Sequence, residues 1–253
     1  MDMFKIALRR VFYFFYALRY KESGKLKTVN NKVYRFPYSV VRGIPSIINE
    51  RPLLFLQQLV KNKKVVIDVG ANIGTISNII SNDMSPGGVI HAFEPTPSTF
   101  LILQDTARLV KGNVIIQPYN YAIAGENGVV YFETTESSTT NHIISDQNRG
   151  IAVTAVCLDW FCLTNGIRPE VIKIDVEGAE YLVLLGSQSI LKKYKPEVLV
   201  ELHIDQLRLQ KVDCNLFGNL IEQIDYEAHS LDGEKIPSDL IFNYSCIHLV
   251  SKS

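Results

Sequence analysis

VVIDVGANIGT, residues 65–75, decides the fold. Four of its first five residues are apolar and β-branched, which suits a strand buried on both faces of a parallel sheet. Gly70 and Gly74 then let the backbone turn sharply and come close to a ligand, and a helix is expected over 73–81. The same alternation runs through the rest of the chain. Strands are expected at 89–93, 114–117, 171–176, 198–203 and 240–250, and helices over 95–110, 179–185 and 217–223. Residues 122–124 and 129–133 flank GENG (125–128) and read as a hairpin. Strands alternating with helices imply an α/β fold with a parallel sheet covered on both faces. Ligands of such sheets sit beyond the carboxyl ends of the strands, so those ends are where chemistry is sought.

The first strand end carries Asp68 and the glycine loop. Its spacing is neither the G-x-G-x-x-G of a dinucleotide site nor a phosphate-binding loop with Gly-Lys-Ser/Thr. An acid beside the loop suits a cationic ligand better than a phosphate; an ordinary strand–helix turn would look the same. The second end carries Glu94 in FEPTP (93–97). About 20 residues past a glycine loop, a carboxylate there can accept both hydroxyls of a ribose. The third carries YNYA (119–122), which can clasp an adenine or form a plain turn. The fourth, KIDVEGAE (173–180), crowds Asp175, Glu177 and Glu180 together. Crowded carboxylates raise one another's pKa, so one can act as a base, or Asp175 and Glu177 can hold a divalent ion. The two glutamates equally suit the positive end of a helix. The fifth, VELH (200–203), puts Glu201 and His203 on one face if the chain is extended. His203 is the expected general base, with Glu201 as its orienter.

Outward from these motifs, composition bounds the rest. The chain has 253 residues, 47% hydrophobic and 21% charged, enough for one domain with a sizeable core. Its 26 basic and 26 acidic residues balance, but unevenly. Residues 1–64 hold 14 Lys/Arg against 3 Asp/Glu, whereas residues 65–253 hold 12 against 23. An acidic body argues against nucleic acid as a partner. The expected division is a basic, helical lead-in over 1–64 and the main domain over 65–253. Residues 1–20 contain an apolar run too short to span a membrane. They suit a helix packed on the body or one lying in a membrane interface. The four cysteines form no C-x-x-C pair, which argues against zinc and for a reducing, cytoplasmic setting, with peripheral contact at the inner membrane surface as the variant. The loop TTESSTTNHIISDQNRG (134–150) is rich in hydroxyls and amides. It suits recognition of a polyhydroxylated acceptor, with His142 and Arg149 as candidates, or a solvated loop.

The ordered series DVGANIGTIS (68–77), AFEPTPSTF (92–100), VTAVCLDWF (153–161), VIKIDVEGAEYLVLLGS (171–187) and KPEVLVELH (195–203) resembles the FkbM family of methyltransferases. The resemblance covers roughly residues 65–205. It implies a class I methyltransferase fold, a Rossmann-like three-layer sandwich around a seven-stranded, mostly parallel sheet with one antiparallel strand. It implies S-adenosylmethionine as methyl donor. Asp68, Gly70, Ala71, Asn72, Ile73, Gly74 and Thr75 would hold the methionine end. Glu94 and Pro95 would meet the ribose, Asn120, Tyr121 and Ala122 the adenine, and Asp175 both cofactor and acceptor. The implied activity is O-methylation of a sugar, glycan or glycolipid hydroxyl, with His203, Glu201, Glu177 and Asp175 as the catalytic set. The residues leave metal dependence, oligomeric state and the methylated atom open; a natural-product or nitrogen acceptor would also fit. A methyltransferase-like binding module without turnover is the non-enzymatic alternative. An NAD-dependent oxidoreductase is disfavoured by the missing dinucleotide fingerprint.

Overall fold

In the strand that opens the main domain, Val66 and Ile67 point to opposite sides of one sheet and are both fully buried. The computed structural model describes residues 24–46, 48, 50–133, 143–144 and 150–252. The strands, in chain order, are β1 (Lys25–Val29), β2 (Lys32–Phe36), β3 (Val65–Val69), β4 (Val89–Phe93), β5 (Ile115–Tyr119), β6 (Ala122–Ile123), β7 (Gly128–Glu133), β8 (Ile143–Ile144), β9 (Gly150–Val156), β10 (Val171–Ile174), β11 (Glu197–Glu201), β12 (Tyr226–His229) and β13 (Cys246–Ser251).

Seven of them form the central sheet in the order β12-β13-β11-β10-β3-β4-β5. Only β13 in this sheet runs against its neighbours β11 and β12. This is the seven-stranded, mostly parallel α/β sheet with one antiparallel strand that the resemblance implies. The strands lead outward in opposite directions from the β3–β10 pair, so the switch point lies where Val69 and Ile174 end side by side.

Period-two alternation builds a core on each face. Ile67, Val69, Ile172, Ile174, Val198 and Val200 pack against helices Leu158–Asn165, Glu180–Leu185 and Cys214–Gln223. Val66, Ile90, Ala92, Val171 and Leu199 pack on the other side against Arg51–Leu59, Thr75–Ile80 and Pro97–Leu109. That second core also takes Val29, Tyr34 and Phe36 from β1 and β2. These two strands form a hairpin whose turn residues Asn30 and Asn31 have φ of 47° and 63°. Asparagine tolerates that left-handed conformation, which two-residue hairpin turns require. The Asn30 side chain also bonds both the N–H and the carbonyl of Ile48. The described part of the lead-in thus contains a hairpin as well as a helix, and both pack on the sheet.

Three local expectations are corrected. Residues 122–133 are not a hairpin, because β9 runs between β6 and β7 and pairs with both. Gly150–Val156 (GIAVTAV) is a strand not expected from the sequence, with its alternating Val153 and Ala155 buried. The closing strand begins only at Cys246. Residues Ser238–Asn243 form a 3-10 helix that buries Ile241 and Phe242. The seventh strand, Tyr226–His229, carries only two buried residues and escapes a periodicity reading. Among the described residues no helix is long and apolar enough to cross a membrane. The expectations for residues 1–20, His142 and Arg149 fall outside the described residues.

Candidate active site

The end of β3 is tied to the end of β4 before any side chain is considered. The N–H groups of Gly70 and Ala71 both donate to the Phe93 carbonyl, at 3.1 and 2.9 Å. Gly70 has φ +79°, and a Cβ there would lie 1.8 Å from the Asp175 carbonyl oxygen. Glycine is required on both counts. Asn72 follows at φ 50°, and its own Oδ1 accepts from Ile73 N at 2.7 Å. Gly74, at φ +81°, caps helix Thr75–Ile80 against Leu103. The loop therefore presents Gly70, Asn72 and Ile73 to a cavity at the switch point.

Glu94 forms the next wall. It is 7% exposed, and its two oxygens accept from Asn72 N at 3.1 Å and Thr96 N at 2.9 Å. Burial pushes its carboxyl above the usual range, while the Thr96 and Asn72 N–H groups pull it back. Asn120 fixes this segment from outside, donating to the carbonyls of Glu94 and Pro95 at 2.9 and 2.8 Å. The apolar side of the cavity comes from Phe93, Tyr121, Ala122, Ile123 and Phe132. Behind it Phe93, Tyr119 and Phe161 pack ring on ring with centroids 4.8–5.0 Å apart.

The remaining wall is acidic. Asp175, Val176 and Glu177 line the cavity directly beside the glycine loop. Nε2 of His203 lies 3.3 Å from Glu177 Oε2 and 3.9 Å from Asp175 Oδ1. Its Nδ1 is 2.8 Å from Oε1 of Glu180, which also accepts from Gly178 N. The Glu180 hydrogen bond is the main reason that the imidazole is raised to about 9; burial opposes it, and the charges of Glu180, Glu177 and Asp175 add to it. His203 is therefore cationic at neutral pH in the free protein. It can take a proton from a hydroxyl only after losing the one it holds.

Below this wall lies a buried ion pair. Lys173 Nζ reaches Asp68 Oδ1 at 3.1 Å and Asp175 Oδ2 at 3.3 Å. Burial works against its charge, but the two aspartates outweigh that and hold it above the usual lysine range. The other oxygen of Asp68 accepts from Ser77 Oγ at 2.6 Å.

Of the residues assigned to the cofactor, the structure brings Gly70, Asn72, Ile73, Glu94, Pro95, Tyr121, Ala122 and Asp175 to one cavity. Asp68, Ala71, Gly74, Thr75 and Asn120 are not among its lining residues. Asp68 is 0% exposed and is consumed by Lys173 and Ser77; it braces the loop from beneath. Glu201 does not orient His203. The chain leaves β11 at Glu201, and His203 is already the N-cap of the next helix (φ −96°, ψ 73°), so the i, i+2 alternation does not reach it. Glu201 instead lines a second cavity with Lys173, Asp175 and Cys246, where burial raises its carboxyl. The sequence assigns no site role to Lys173, Thr99 or Phe132. A lysine inside an otherwise apolar strand, VIKI, was a legible sign of a buried partner.

The methyltransferase FkbM domain matches residues 68–229. The hexuronic acid methyltransferase AglP of Haloferax volcanii is 32% identical over 141 residues, which is 55% of this chain and 56% of that protein. The chain thus spans about half the length of this curated relative. Among solved structures, methyltransferase FkbM from Methylobacillus flagellatus KT has a TM-score of 0.46 at 17% identity, over 74% of this chain and 43% of that one. Fibrillarin from Aeropyrum pernix, solved with S-adenosyl-L-methionine bound, has a TM-score of 0.45 at 11% identity, over 90% of this chain and 82% of that one.

Proposed function

Because the chain belongs to the FkbM methyltransferase family, we propose that it transfers a methyl group from S-adenosylmethionine to a hydroxyl of a sugar or glycan. One observation carries this reading. Glu94 and the glycine loop face the same cavity as Asp175 and Glu177, so a nucleoside site and a proton-accepting site meet in one space. The residues fit the cofactor. Glu94 keeps acceptor capacity for ribose hydroxyls beyond its hydrogen bonds from the Asn72 and Thr96 N–H groups and the Thr96 side chain. Tyr121, Ile123 and Phe132 offer an apolar surface for a purine, and Gly70 with Asn72 offers close backbone approach. When bound, the sulfonium cofactor supplies an electrophilic methyl group.

The chain's own residues would do the rest. The clamped 70–74 loop and the Glu94 wall hold the donor in one orientation, and orientation alone can carry much of the rate. Asp175 and Glu177 lie where a hydroxyl entering the cavity can hydrogen-bond and shed its proton, with His203 held behind them by Glu180. The name of the AglP relative supports a carbohydrate acceptor.

Calorimetric titration of the purified chain with S-adenosylhomocysteine tests the reading, with NAD as control. Micromolar binding that weakens by about ten- to a hundredfold in Glu94→Ala is expected, the loss of charged hydrogen bonds worth about 1.5–3 kcal/mol. A folded chain that binds NAD and not S-adenosylhomocysteine would refute it.

A further inference from the structure

We propose that Asp175, Glu177 and His203 form a binding site for one divalent metal ion. One donor atom from each of the three side chains lies within 4.8 Å of the others. His203 Nε2 is 3.3 Å from the nearer Glu177 oxygen and 3.9 Å from that of Asp175. Donors bonded to an ion at about 2.1 Å stand about 3 Å apart when adjacent and about 4.2 Å apart when opposite. Both separations from His203 Nε2 fall in that range.

Glu180 is the independent sign that a cation belongs here. It is fully buried, and its Oε1 takes Nδ1 of His203, which turns Nε2 towards the two carboxylates. A buried carboxylate on the far nitrogen is the usual outer partner of a metal-bound histidine. Its Oε2 is buried too and has no hydrogen-bond partner, so the charge of this side chain is only partly met. Four carboxylates, Asp68, Asp175, Glu177 and Glu180, gather in this network around Lys173 and His203. Asp175 and Glu177 also line the cavity, so an ion held there would keep open positions towards a ligand. Two carboxylate oxygens and one imidazole nitrogen suit Mn²⁺ or a similar ion.

The site deepens the methyl-transfer reading and rests on it for its use, since a hydroxyl bound to an ion loses its proton more readily. Ion binding itself is independent of that reading.

The test is titration of the chelator-treated full chain with Mn²⁺, following free Mn²⁺ by electron paramagnetic resonance. One ion per chain is expected, with binding weakened at least tenfold in Asp175→Asn and in His203→Ala. The orienting role predicts a loss of about ten- to a hundredfold in Glu180→Gln. Circular dichroism and the cooperativity of thermal unfolding report whether each variant is folded. A folded chain that takes up S-adenosylhomocysteine but no Mn²⁺ at millimolar concentration overturns the ion and spares the methyltransferase reading. Mn²⁺ uptake unchanged in both folded ligand variants also overturns it. Mn²⁺ uptake without S-adenosylhomocysteine binding would support the ion and tell against the cofactor.

Discussion

Nδ1 of His203 lies 2.8 Å from Oε1 of Glu180, a carboxylate with no exposed surface. This contact spans 23 residues and decides both the orientation and the charge of the imidazole. In the chelator-treated protein, an NMR titration should find His203 near 9. In Glu180→Gln the imidazole should fall towards the ordinary value of about 6.5. An unchanged titration in a folded variant would mean that Glu177 and Asp175 hold the proton instead.

Gly70→Ala should be among the most damaging conservative changes in the chain. The added Cβ would meet the backbone oxygen of Asp175, and alanine disfavours the left-handed φ of +79°. Neither strain can be relieved without moving the ends of β3 and β10 apart. A loss of roughly 2–4 kcal/mol is expected from urea unfolding, together with loss of S-adenosylhomocysteine binding.

Lys173→Met should cost about 3–5 kcal/mol, because it leaves Asp68 buried without its cation. The double variant Lys173→Met, Asp68→Asn removes the stranded charge and should recover part of that loss in the same denaturation experiment. Equal stability of the single and double variants would show that Ser77 alone satisfies Asp68.

Stability should fall in mild acid partly through His91. Burial lowers its imidazole to about 4, against about 6.5 in the unfolded chain. The folded state thus favours the neutral ring beside Tyr119. That contribution is fully present above pH 6.5 and is lost as the pH falls towards 4. Allowing for the partial exposure of the ring, the effect is about 1–2 kcal/mol. His91→Gln should unfold less steeply than the parent between pH 6.5 and 4 in thermal melts, and parallel curves would count against the assignment.

How much of the site could be read beforehand depended on how local its cause was. VVIDVGANIGT announced a strand, a turn and a helix because β-branched runs and paired glycines act over a few residues. Glu94 was legible for the same reason, as the residue directly after the next strand. KIDVEGAE marked an acidic strand end but not which acid does what. Glu180 could be read as a helix-start residue, and it does open Glu180–Leu185; only the fold turns it towards His203.

The sequence by itself determined the α/β alternation, the glycine loop at its first strand end and the family, since each is encoded in short ordered motifs. Tertiary structure alone decided that Asp68 braces the loop from beneath, that β9 separates β6 from β7, and that Glu180 rather than Glu201 holds His203. Those outcomes depend on where a strand stops and which distant strand it lies beside. Asp68 and Lys173 meet across 105 residues only because β3 and β10 are paired in register. Period-two alternation assigns a side chain to a face, but the partner waiting on that face is supplied by the packing of the whole sheet.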